Sequence, residues 1–264
     1  MTKKKKIILI SAVALAFIAG VLIFCGIVFW SPMSEPLYVA HRGASKLLPD
    51  NTPLAFTAAA NGDFWGIETD IRETADGVFV CSHDATVKYE DGTELSVKEN
   101  AYATLRGKAM LNKKTADKVY LCPFTEYLDI CKAGDKVAVI ELKEIFDTEQ
   151  LTRILAEVDL HHSREKSVFI AFDYVNFTRL RALDDSLAFQ YLSETKEDPV
   201  FEDCLRDGIS ISVKTTVLTG SLVDAFHEAG LEVNVWTVNT DWTRRKVRRK
   251  GVDYITTDVF DKNQ

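Results

Sequence analysis

The sequence predicts a (β/α)8 barrel, the TIM-barrel fold, with a β-hairpin in the loop after its second strand and one N-terminal transmembrane helix before the barrel. Short apolar, β-rich runs alternate with segments of helical periodicity along most of the chain. This alternation is typical of a parallel sheet with helices packed outside it. The length of 264 residues suits one such barrel, which commonly takes about 250 residues. An uncharged apolar run at residues 7–30 precedes the alternating part and predicts the membrane helix.

The chain begins with a basic segment at residues 1–6, followed by the apolar run at residues 7–30. This run has about the length needed to cross a bilayer as a helix, roughly 20 residues, whereas a signal-peptide core usually has about 7–15. No small-x-small cleavage site follows it, so the pattern favours an uncleaved anchor over a cleaved signal peptide or a buried core helix. Cys25 follows the bulky Phe24, which argues against a lipid-modified cysteine.

The four lysines at residues 3–6 predict the orientation of the anchor, because basic residues stay on the cytoplasmic side. We therefore expect a single-pass protein of the cell membrane, with a linker at residues 31–36 and an extracytoplasmic barrel domain at residues 37–264. Without these four lysines, the 32 basic residues fall to 28 against 39 acidic residues, so the outer domain carries about −11. This charge argues against nucleic-acid binding, and an anionic substrate needs a local positive centre, either a metal or placed Arg and Lys side chains.

The cysteines of the outer domain form no CxxC pair and no zinc-type spacing. They are Cys81, Cys122, Cys131 and Cys204. Cys122 and Cys131 are close enough along the chain to pair, but their spacing leaves a disulfide open.

Nine strands and six helices are predicted in the outer domain. The strands are Leu37–Ala40, Gly66–Ile71, Val78–Cys81, Val137–Leu142, Val168–Phe172, Ala188–Leu192, Ile209–Val213, Glu232–Val238 and Tyr254–Thr257. The helices are Pro53–Ala60, Phe124–Cys131, Thr148–Val158, Asn176–Leu183, Ser221–Glu228 and Asp241–Lys250.

One of the nine strands does not fit a parallel barrel. The connection that precedes Val78–Cys81 spans only residues 73–77 and carries an Asp-Gly turn signal. A parallel crossover needs a dozen or more residues, so this segment is predicted as a hairpin arm that projects from the loop after the second strand. Eight parallel strands then remain, and the chemistry is expected at their carboxyl ends.

Three carboxylates are predicted to meet at this end of the barrel. Glu68 and Asp70 lie two apart on the second strand and therefore point to the same side, while Glu141 ends the next barrel strand. Such a cluster repels itself unless a positive charge neutralises it, and oxygen ligands favour Mg²⁺ or Ca²⁺ over zinc. Surface charge or ion pairing is the alternative interpretation. A carboxylate inside an apolar strand is costly without a partner, so the pattern favours one bound divalent cation, Ca²⁺ or Mg²⁺.

Two histidines and two basic residues lie beside these carboxylates. His41 follows the first strand and His83 closes the hairpin arm, and both are suited to proton transfer near neutral pH, although a lone histidine is more often structural. Arg42 and Lys143 provide positive groups for a phosphodiester, Arg through paired hydrogen bonds and Lys as a point charge. Their alternative role is to pair with the acidic residues.

Two aromatic residues are candidates for contact with substrate. Trp236, within the eighth predicted strand, could form a flat apolar wall for an alcohol moiety. Phe172, at the end of the fifth predicted strand, is the second candidate. Aromatic residues on barrel strands are often simply part of the core.

The outer domain resembles the glycerophosphodiester phosphodiesterase family through seven short blocks in the family's order. The blocks are His41-Arg-Gly43, Pro49-Asp-Asn-Thr52, Ile67-Glu-Thr-Asp70, Asp76-Gly77 with Ser82-His-Asp84, Glu141-Leu-Lys143, Val235-Trp-Thr-Val-Asn239 and Ile255-Thr-Thr-Asp258. They run from the first strand to the C-terminus and so cover the whole outer domain. One departure is Asp50, where the family usually has Glu, and this shorter side chain could alter loop placement or metal geometry.

The resemblance implies a role for each candidate. The metal ligands are Glu68, Asp70 and Glu141, the acid–base pair is His41 and His83, the phosphate contacts are Arg42 and Lys143, and Trp236 lines the substrate pocket. The implied reaction is metal-dependent hydrolysis of a glycerophosphodiester to glycerol 3-phosphate and an alcohol.

Two other functions stay open from the sequence. A lysophospholipid or a polymeric glycerol-phosphate envelope component would suit a site tethered beside a membrane. An anchored, non-catalytic binding protein would be expected to have lost a ligand or a histidine, and none is missing. The sequence does not fix the metal, the alcohol, the attacking oxygen (water or the substrate's 2-hydroxyl) or the oligomeric state.

Overall fold

The computed structural model describes residues 35–259, which form eleven strands and eight α-helices. The strands are β1 Leu37–Ala40, β2 Gly66–Glu73, β3 Phe79–Cys81, β4 Thr86–Lys88, β5 Glu94–Ser96, β6 Val137–Leu142, β7 Ser167–Ala171, β8 Ala188–Ser193, β9 Ser210–Lys214, β10 Val233–Trp236 and β11 Tyr254–Thr257. The helices are α1 Pro53–Ala60, α2 Tyr102–Arg106, α3 Phe124–Ala133, α4 Thr148–His161, α5 Tyr174–Leu183, α6 Val200–Asp207, α7 Gly220–Glu228 and α8 Asp241–Arg248.

Eight of the strands form a closed parallel barrel in the order β1, β2, β6, β7, β8, β9, β10, β11. The barrel closes because β1 pairs with β11 on one side, with Leu37 opposite Tyr254, and with β2 on the other, with Val39 opposite Gly66. The predicted eight-stranded parallel barrel is thus confirmed, and the predicted element boundaries agree within three residues.

The third strand is the hairpin arm that the short connection predicted. β3 runs antiparallel to the end of β2, with Ile71 opposite Cys81 and Glu73 opposite Phe79. The turn between them needs the left-handed backbone of Gly77 (φ 81°), which costs glycine little. This arm carries the chain away from the barrel just before His83.

Residues 82–122, which we call the insert, form a small lobe that the sequence did not predict. The β4–β5 hairpin turns at Gly92 (φ 82°), and isolated bridges tie Met110 to both Tyr89 and Val119. The lobe packs around a small core of Val87, Tyr89, Val97, Leu105 and Leu121, to which Val80 of β3 also contributes. It therefore forms a packed wall beside the barrel mouth.

The helices pack their apolar faces on the outside of the barrel, and α4 shows how the sequence specifies this. Asp147 and Gln150 form a capping box in which each side chain accepts a hydrogen bond from the other's backbone N–H at 2.8 Å. The helix buries a face of residues spaced at helical intervals, namely Leu151, Ile154, Leu155 and Val158. Each such side chain contributes about 1.5–3 kcal/mol on burial, so the face outweighs the single cap.

Two predictions concern features beyond the barrel. The predicted anchor at residues 7–30 lies outside the described residues, and no helix within residues 35–259 is long and apolar enough to cross a membrane. The four cysteines of the outer domain are buried free thiols, so Cys122 and Cys131 are not paired.

Candidate active site

Three carboxylates meet at the carboxyl end of neighbouring strands β2 and β6. Asp70 on β2 lies directly opposite Glu141 on β6, and Glu68 points to the same side as Asp70. Their exposed fractions are 2% for Glu68, 0% for Asp70 and 8% for Glu141. One oxygen from each lies within 4.8 Å of the others, so the predicted convergence of these side chains is confirmed.

Each carboxylate accepts a hydrogen bond, but one fully buried oxygen of the cluster accepts none within the described residues. The backbone N–H of Arg42 donates to Glu68 Oε2 at 2.7 Å, and Lys143 Nζ donates to Glu141 Oε1 at 2.6 Å. Asn51 Nδ2 donates to Asp70 Oδ2 at 2.7 Å. Asp70 Oδ1 is buried without a hydrogen bond in the described structure, and the Lys143 ammonium lies 3.5 Å from it.

Burial and mutual repulsion set the protonation of the cluster. Burial raises the pKa of Glu68 well above its ordinary value, and the charges of Asp70 and Glu141 raise it further. Burial, followed by the charge of Asp70, raises the pKa of Glu141 to about 7. Burial also acts to raise the pKa of Asp70, but Arg42, Lys143 and the Asn51 amide together lower it below its ordinary value. The surroundings therefore favour the ionised form of Asp70, whereas they favour the protonated forms of Glu68 and Glu141.

This arrangement fits a hard divalent cation. Three buried carboxylates share one small volume, and no group among residues 35–259 donates a hydrogen bond to Asp70 Oδ1. A cation would neutralise the repulsion that raises the pKa of Glu68 and Glu141, and it would take the free lone pairs of Asp70. An all-oxygen donor set suits Mg²⁺ or Ca²⁺ better than zinc.

The loop after β1 brings Arg42 over the cluster by means of an unusual backbone. Arg42 has φ 55° and Asn51 has φ 56°, both in the left-handed region that non-glycine residues seldom adopt. Gly43 follows with φ 81°, and a Cβ there would lie 2.7 Å from the backbone carbon of Ala55. Only glycine fits, which explains the His-Arg-Gly triplet physically. The Arg42 guanidinium then lies 3.3 Å from Asp70 and 3.6 Å from Asp50.

Both candidate acid–base histidines hold a carboxylate through Nδ1, but their surroundings differ. His41 Nδ1 lies 2.6 Å from Asp258 Oδ1, and His83 Nδ1 lies 2.8 Å from Asp84 Oδ1. Asp258 also accepts hydrogen bonds from Ser45 Oγ at 2.9 Å and from Asn239 Nδ2 at 2.5 Å. His41 is thus held firmly, whereas His83 and its partner are exposed.

The pKa of Asp258 reflects this network. Burial acts to raise it, but the hydrogen bond and charge of His41, with the Asn239 and Ser45 donors, lower it to about 2. Asp258 therefore stays ionised over the whole neutral range and can fix the orientation of the His41 ring.

Asp258 and Asn51 are site residues to which the sequence assigned no role. Both lie inside motif blocks that carry the family resemblance, and that position was the only signal available. They contact His41 and Asp70 respectively, and only the folded barrel creates these contacts.

A cavity of about 460 Å³, including solvent at its mouth, opens above the cluster. We call it the inner cavity. It brings together eight of the nine predicted site residues, which are His41, Arg42, Glu68, His83, Glu141, Lys143, Phe172 and Trp236. The ninth, Asp70, lies buried at the edge of the cluster, against Arg42 and Lys143.

The two aromatic residues form one side of this cavity. Phe172 meets Trp236 edge to face at 6.1 Å between ring centroids, and Trp236 Nε1 donates to the Ser212 carbonyl at 3.1 Å. Phe172 is 42% exposed, so its ring is available to a bound molecule.

An acidic cluster at the carboxyl ends of barrel strands defines a TIM-barrel enzyme whose site can hold a divalent cation. The model of the glycerophosphoryl diester phosphodiesterase family matches residues 41–262, and the chain belongs to this family of phosphoric diester hydrolases. Family membership confirms the resemblance that the seven motif blocks predicted.

Two curated relatives illustrate the match. The glycerophosphodiester phosphodiesterase of Caldanaerobacter subterraneus is 24% identical, over 85% of this chain and 94% of that protein. Glycerophosphodiester phosphodiesterase domain-containing protein 5 of Gallus gallus is also 24% identical over 85% of this chain, which spans only 42% of the chicken protein.

Two solved structures share the fold. An Oleispira antarctica phosphodiesterase in complex with the product sn-glycerol-3-phosphate superposes with a TM-score of 0.79, at 20% identity, over 85% of this chain and 94% of that one. The glycerophosphodiester phosphodiesterase of Agrobacterium tumefaciens gives 0.73 at 21% identity, over 86% and 98% of the two chains.

Proposed function

We propose that this chain hydrolyses glycerophosphodiesters to glycerol 3-phosphate and an alcohol. The observation that carries the proposal is the inner cavity, where two histidines and two cations surround the carboxylate cluster. The Oleispira antarctica structure supports it, because a phosphodiesterase of the same fold holds the product sn-glycerol-3-phosphate.

The phosphate is bound by Arg42 and Lys143. The Arg42 guanidinium reaches the cluster from the loop after β1, and the Lys143 ammonium reaches it from the end of β6. In the structure these two groups also contact the carboxylates, as the alternative interpretation of the sequence expected. A divalent cation held by Glu68, Asp70 and Glu141 would polarise the phosphoryl oxygens and offset the charge that develops in the transition state. Its presence would also free the two basic side chains for the phosphate.

His41 and His83 act as the acid–base pair. Asp258 accepts from His41 Nδ1, which leaves Nε2 as the nitrogen that serves the substrate. Asp84 holds His83 in the same manner. One histidine removes a proton from the attacking oxygen and the other gives a proton to the departing alcohol oxygen, a contribution of about 10²–10⁴ in rate.

Trp236 and Phe172 bind the part of the substrate that lies in the inner cavity. Their edge-to-face pair forms an apolar wall opposite the polar cluster. A glycerol backbone has both apolar carbons and hydroxyl groups, and this division of the cavity suits it.

The place of the reaction is the outer face of the cell membrane. We infer this from the sequence alone, in which the apolar run at residues 7–30 is expected to anchor the chain in the membrane, with residues 1–6 in the cytoplasm and the barrel domain outside. This position favours a second candidate function, in which the diester is a lysophospholipid or a polymeric glycerol-phosphate component of the envelope.

The test is release of glycerol 3-phosphate from glycerophosphocholine by the purified full chain, first with chelator and then with added Mg²⁺ or Ca²⁺. We expect release to stop with chelator and to return with a cation. No release with either cation, from protein shown to be folded, would overturn the proposal for soluble diesters and leave the second candidate to be measured with lysophospholipid.

A further inference from the structure

A second cavity lies directly beside the inner cavity, and we call it the outer groove. It measures about 750 Å³ including open solvent, and it runs between Asp50 and Asn51 on the barrel side and the insert on the other. The insert contributes residues from two of its segments, including Lys88, Met110 and Leu111.

Arg42 and His83 line both cavities, whereas His41 lines only the inner one. The boundary between the two cavities is therefore made by the proposed phosphate-binding arginine and by one of the two proposed acid–base residues. In phosphoryl transfer the attacking and departing oxygens lie roughly in line on opposite sides of phosphorus. A phosphate at Arg42, if attacked from the His41 side, would therefore expel its alcohol toward His83 and the outer groove.

The apolar wall of the groove is held in place by the backbone of the insert. Met110 N–H donates to the Val119 carbonyl at 2.8 Å, and Leu111 N–H donates to the Lys88 carbonyl at 2.7 Å. Leu111 is nevertheless 44% exposed, so an apolar side chain on a hydrogen-bonded backbone faces water beside the site. A rigid exposed apolar surface in a groove loses little entropy when a ligand covers it.

The charges of the groove balance one another. Asp50 and Asp84 supply two negative charges, and Arg42 and Lys88 supply two positive ones. Arg42 lies 3.6 Å from Asp50, which further reduces any net field. The groove therefore does not select an ionic alcohol, and Leu111 with Met110 gives it a preference for aliphatic carbon.

We propose that the outer groove binds the alcohol moiety of the diester, that His83 is the acid that protonates it, and that the groove prefers alcohols with an aliphatic chain. This inference rests on the proposed function. In the step, a bond forms from the attacking oxygen to phosphorus and its proton passes to His41. The bond between phosphorus and the alcohol oxygen breaks, and that oxygen takes the proton of His83.

The experiment uses the full chain and three diesters of glycerol 3-phosphate, with methanol, 1-butanol and 1-hexanol as the alcohol. We expect kcat/KM to rise about twofold per added methylene, since a methylene buried in a half-open groove gains about half of the full transfer effect. Leu111→Gln should flatten this rise to less than half.

Tyr120→Gln is the matched control, because Tyr120 also belongs to the insert and is 42% exposed but does not line the groove. This variant should keep the wild-type dependence on chain length. The groove assignment would be overturned if the wild-type kcat/KM did not depend on the length of the alcohol chain. It would also be overturned if Leu111→Gln and Tyr120→Gln changed that dependence equally. Failure of the wild-type chain to hydrolyse even the methyl diester would instead overturn the proposed function, so the two failures are distinguishable.

Discussion

Asp258 lies 217 residues from His41 along the chain and 2.6 Å from it in the fold, because β11 closes the barrel against β1. The carboxylate has further donors in Ser45 and Asn239, and together these contacts leave it one orientation. An anchored acceptor at Nδ1 fixes both the tilt of the His41 ring and the nitrogen that carries the proton. Asp258 is thus a positioning residue for the proposed reaction.

Asp258→Asn should lower kcat about tenfold to a thousandfold with little change in KM, because an amide no longer holds His41 in one tautomer. The loss is part of the roughly 10²–10⁴ that a placed acid–base group contributes. Steady-state kinetics over pH 5–9 measures it, and the pH profile should change shape. Asp129→Asn is the control, since Asp129 pairs with His161 Nδ1 at 2.9 Å on the outside of the barrel. Wild-type kcat and an unchanged pH profile in Asp258→Asn would refute the positioning role.

At the scale of elements, the insert is joined to the barrel by a lysine. Lys114 Nζ donates to the carbonyls of Ser45 and Leu48, at 3.0 Å for Leu48, and so ties the insert to the loop after β1. The same loop carries Arg42 and Asn51. A bond between these two segments therefore steadies both walls of the active-site mouth.

Lys114→Ala should loosen this contact without unfolding the barrel. We expect amide hydrogen exchange to accelerate in residues 108–120 and KM for the diester to rise several-fold. Global stability should change by less than about 1 kcal/mol, as for most exposed substitutions. Lys113→Ala, at the neighbouring exposed lysine, serves as the control. Equal rates of amide hydrogen exchange in the two variants would show that Lys114 does not hold the insert to the loop after β1.

Helix α4 carries Glu157, whose ionised form is disfavoured by burial. Glu157 Oε2 has no hydrogen-bond partner in the described structure, and burial raises the pKa of Glu157 from 4.5 to about 7, against the opposing charges of His161 and Arg153. A carboxyl with a raised folded-state pKa binds its proton more tightly when folded. Its contribution to stability is therefore fully present below about pH 4.5 and is lost as pH rises to about 7.

Glu157→Gln should remove the loss of stability that the ionisation of Glu157 causes as pH rises. The variant is expected to be more stable than wild type by about 1–2 kcal/mol at pH 8, after allowance for partial solvent screening, and the difference should shrink toward pH 5. Urea unfolding at the two pH values measures it. A difference that does not depend on pH would show that Glu157 ionises normally in the folded chain.

The elements that the sequence could predict are those with a clear period or a clear length limit. Barrel strands are continuous apolar runs because helices cover them, and the connection at residues 73–77 was too short for a parallel crossover. The insert lacked such signals, because β4 and β5 have only three residues each and its small core draws on scattered positions. Helix α6 was missed for a related reason, since it spans only Val200–Asp207 and buries just Phe201 and Cys204.

Across the whole molecule, the carboxylate cluster was predictable and its surroundings were not. Alternation on β2 fixes the side that Glu68 and Asp70 face, and the parallel neighbour β6 brings Glu141 to the same level. The partners of the histidines depend on how the barrel closes and how the loops bend, and no local pattern records these. The outer groove depends on the insert in the same way, so its existence required the folded chain.

Repulsion within the carboxylate cluster destabilises the folded chain, and a bound cation should remove this destabilisation. Three buried carboxylates repel one another, and a cation that binds only the folded chain stabilises it by about 2.7 kcal/mol at 100 times its Kd. For a domain of this size the melting temperature should rise by about 5–10 °C when Mg²⁺ or Ca²⁺ is added after chelator. Differential scanning calorimetry of the full chain measures the rise independently of activity.

Glu141→Gln should abolish the rise in melting temperature because one ligand is lost, whereas Glu157→Gln, on α4 and outside the cluster, should keep it. A full rise in Glu141→Gln would mean that the cation binds elsewhere, and no rise in the wild type with either ion would mean that the cluster is neutralised by Arg42 and Lys143 alone.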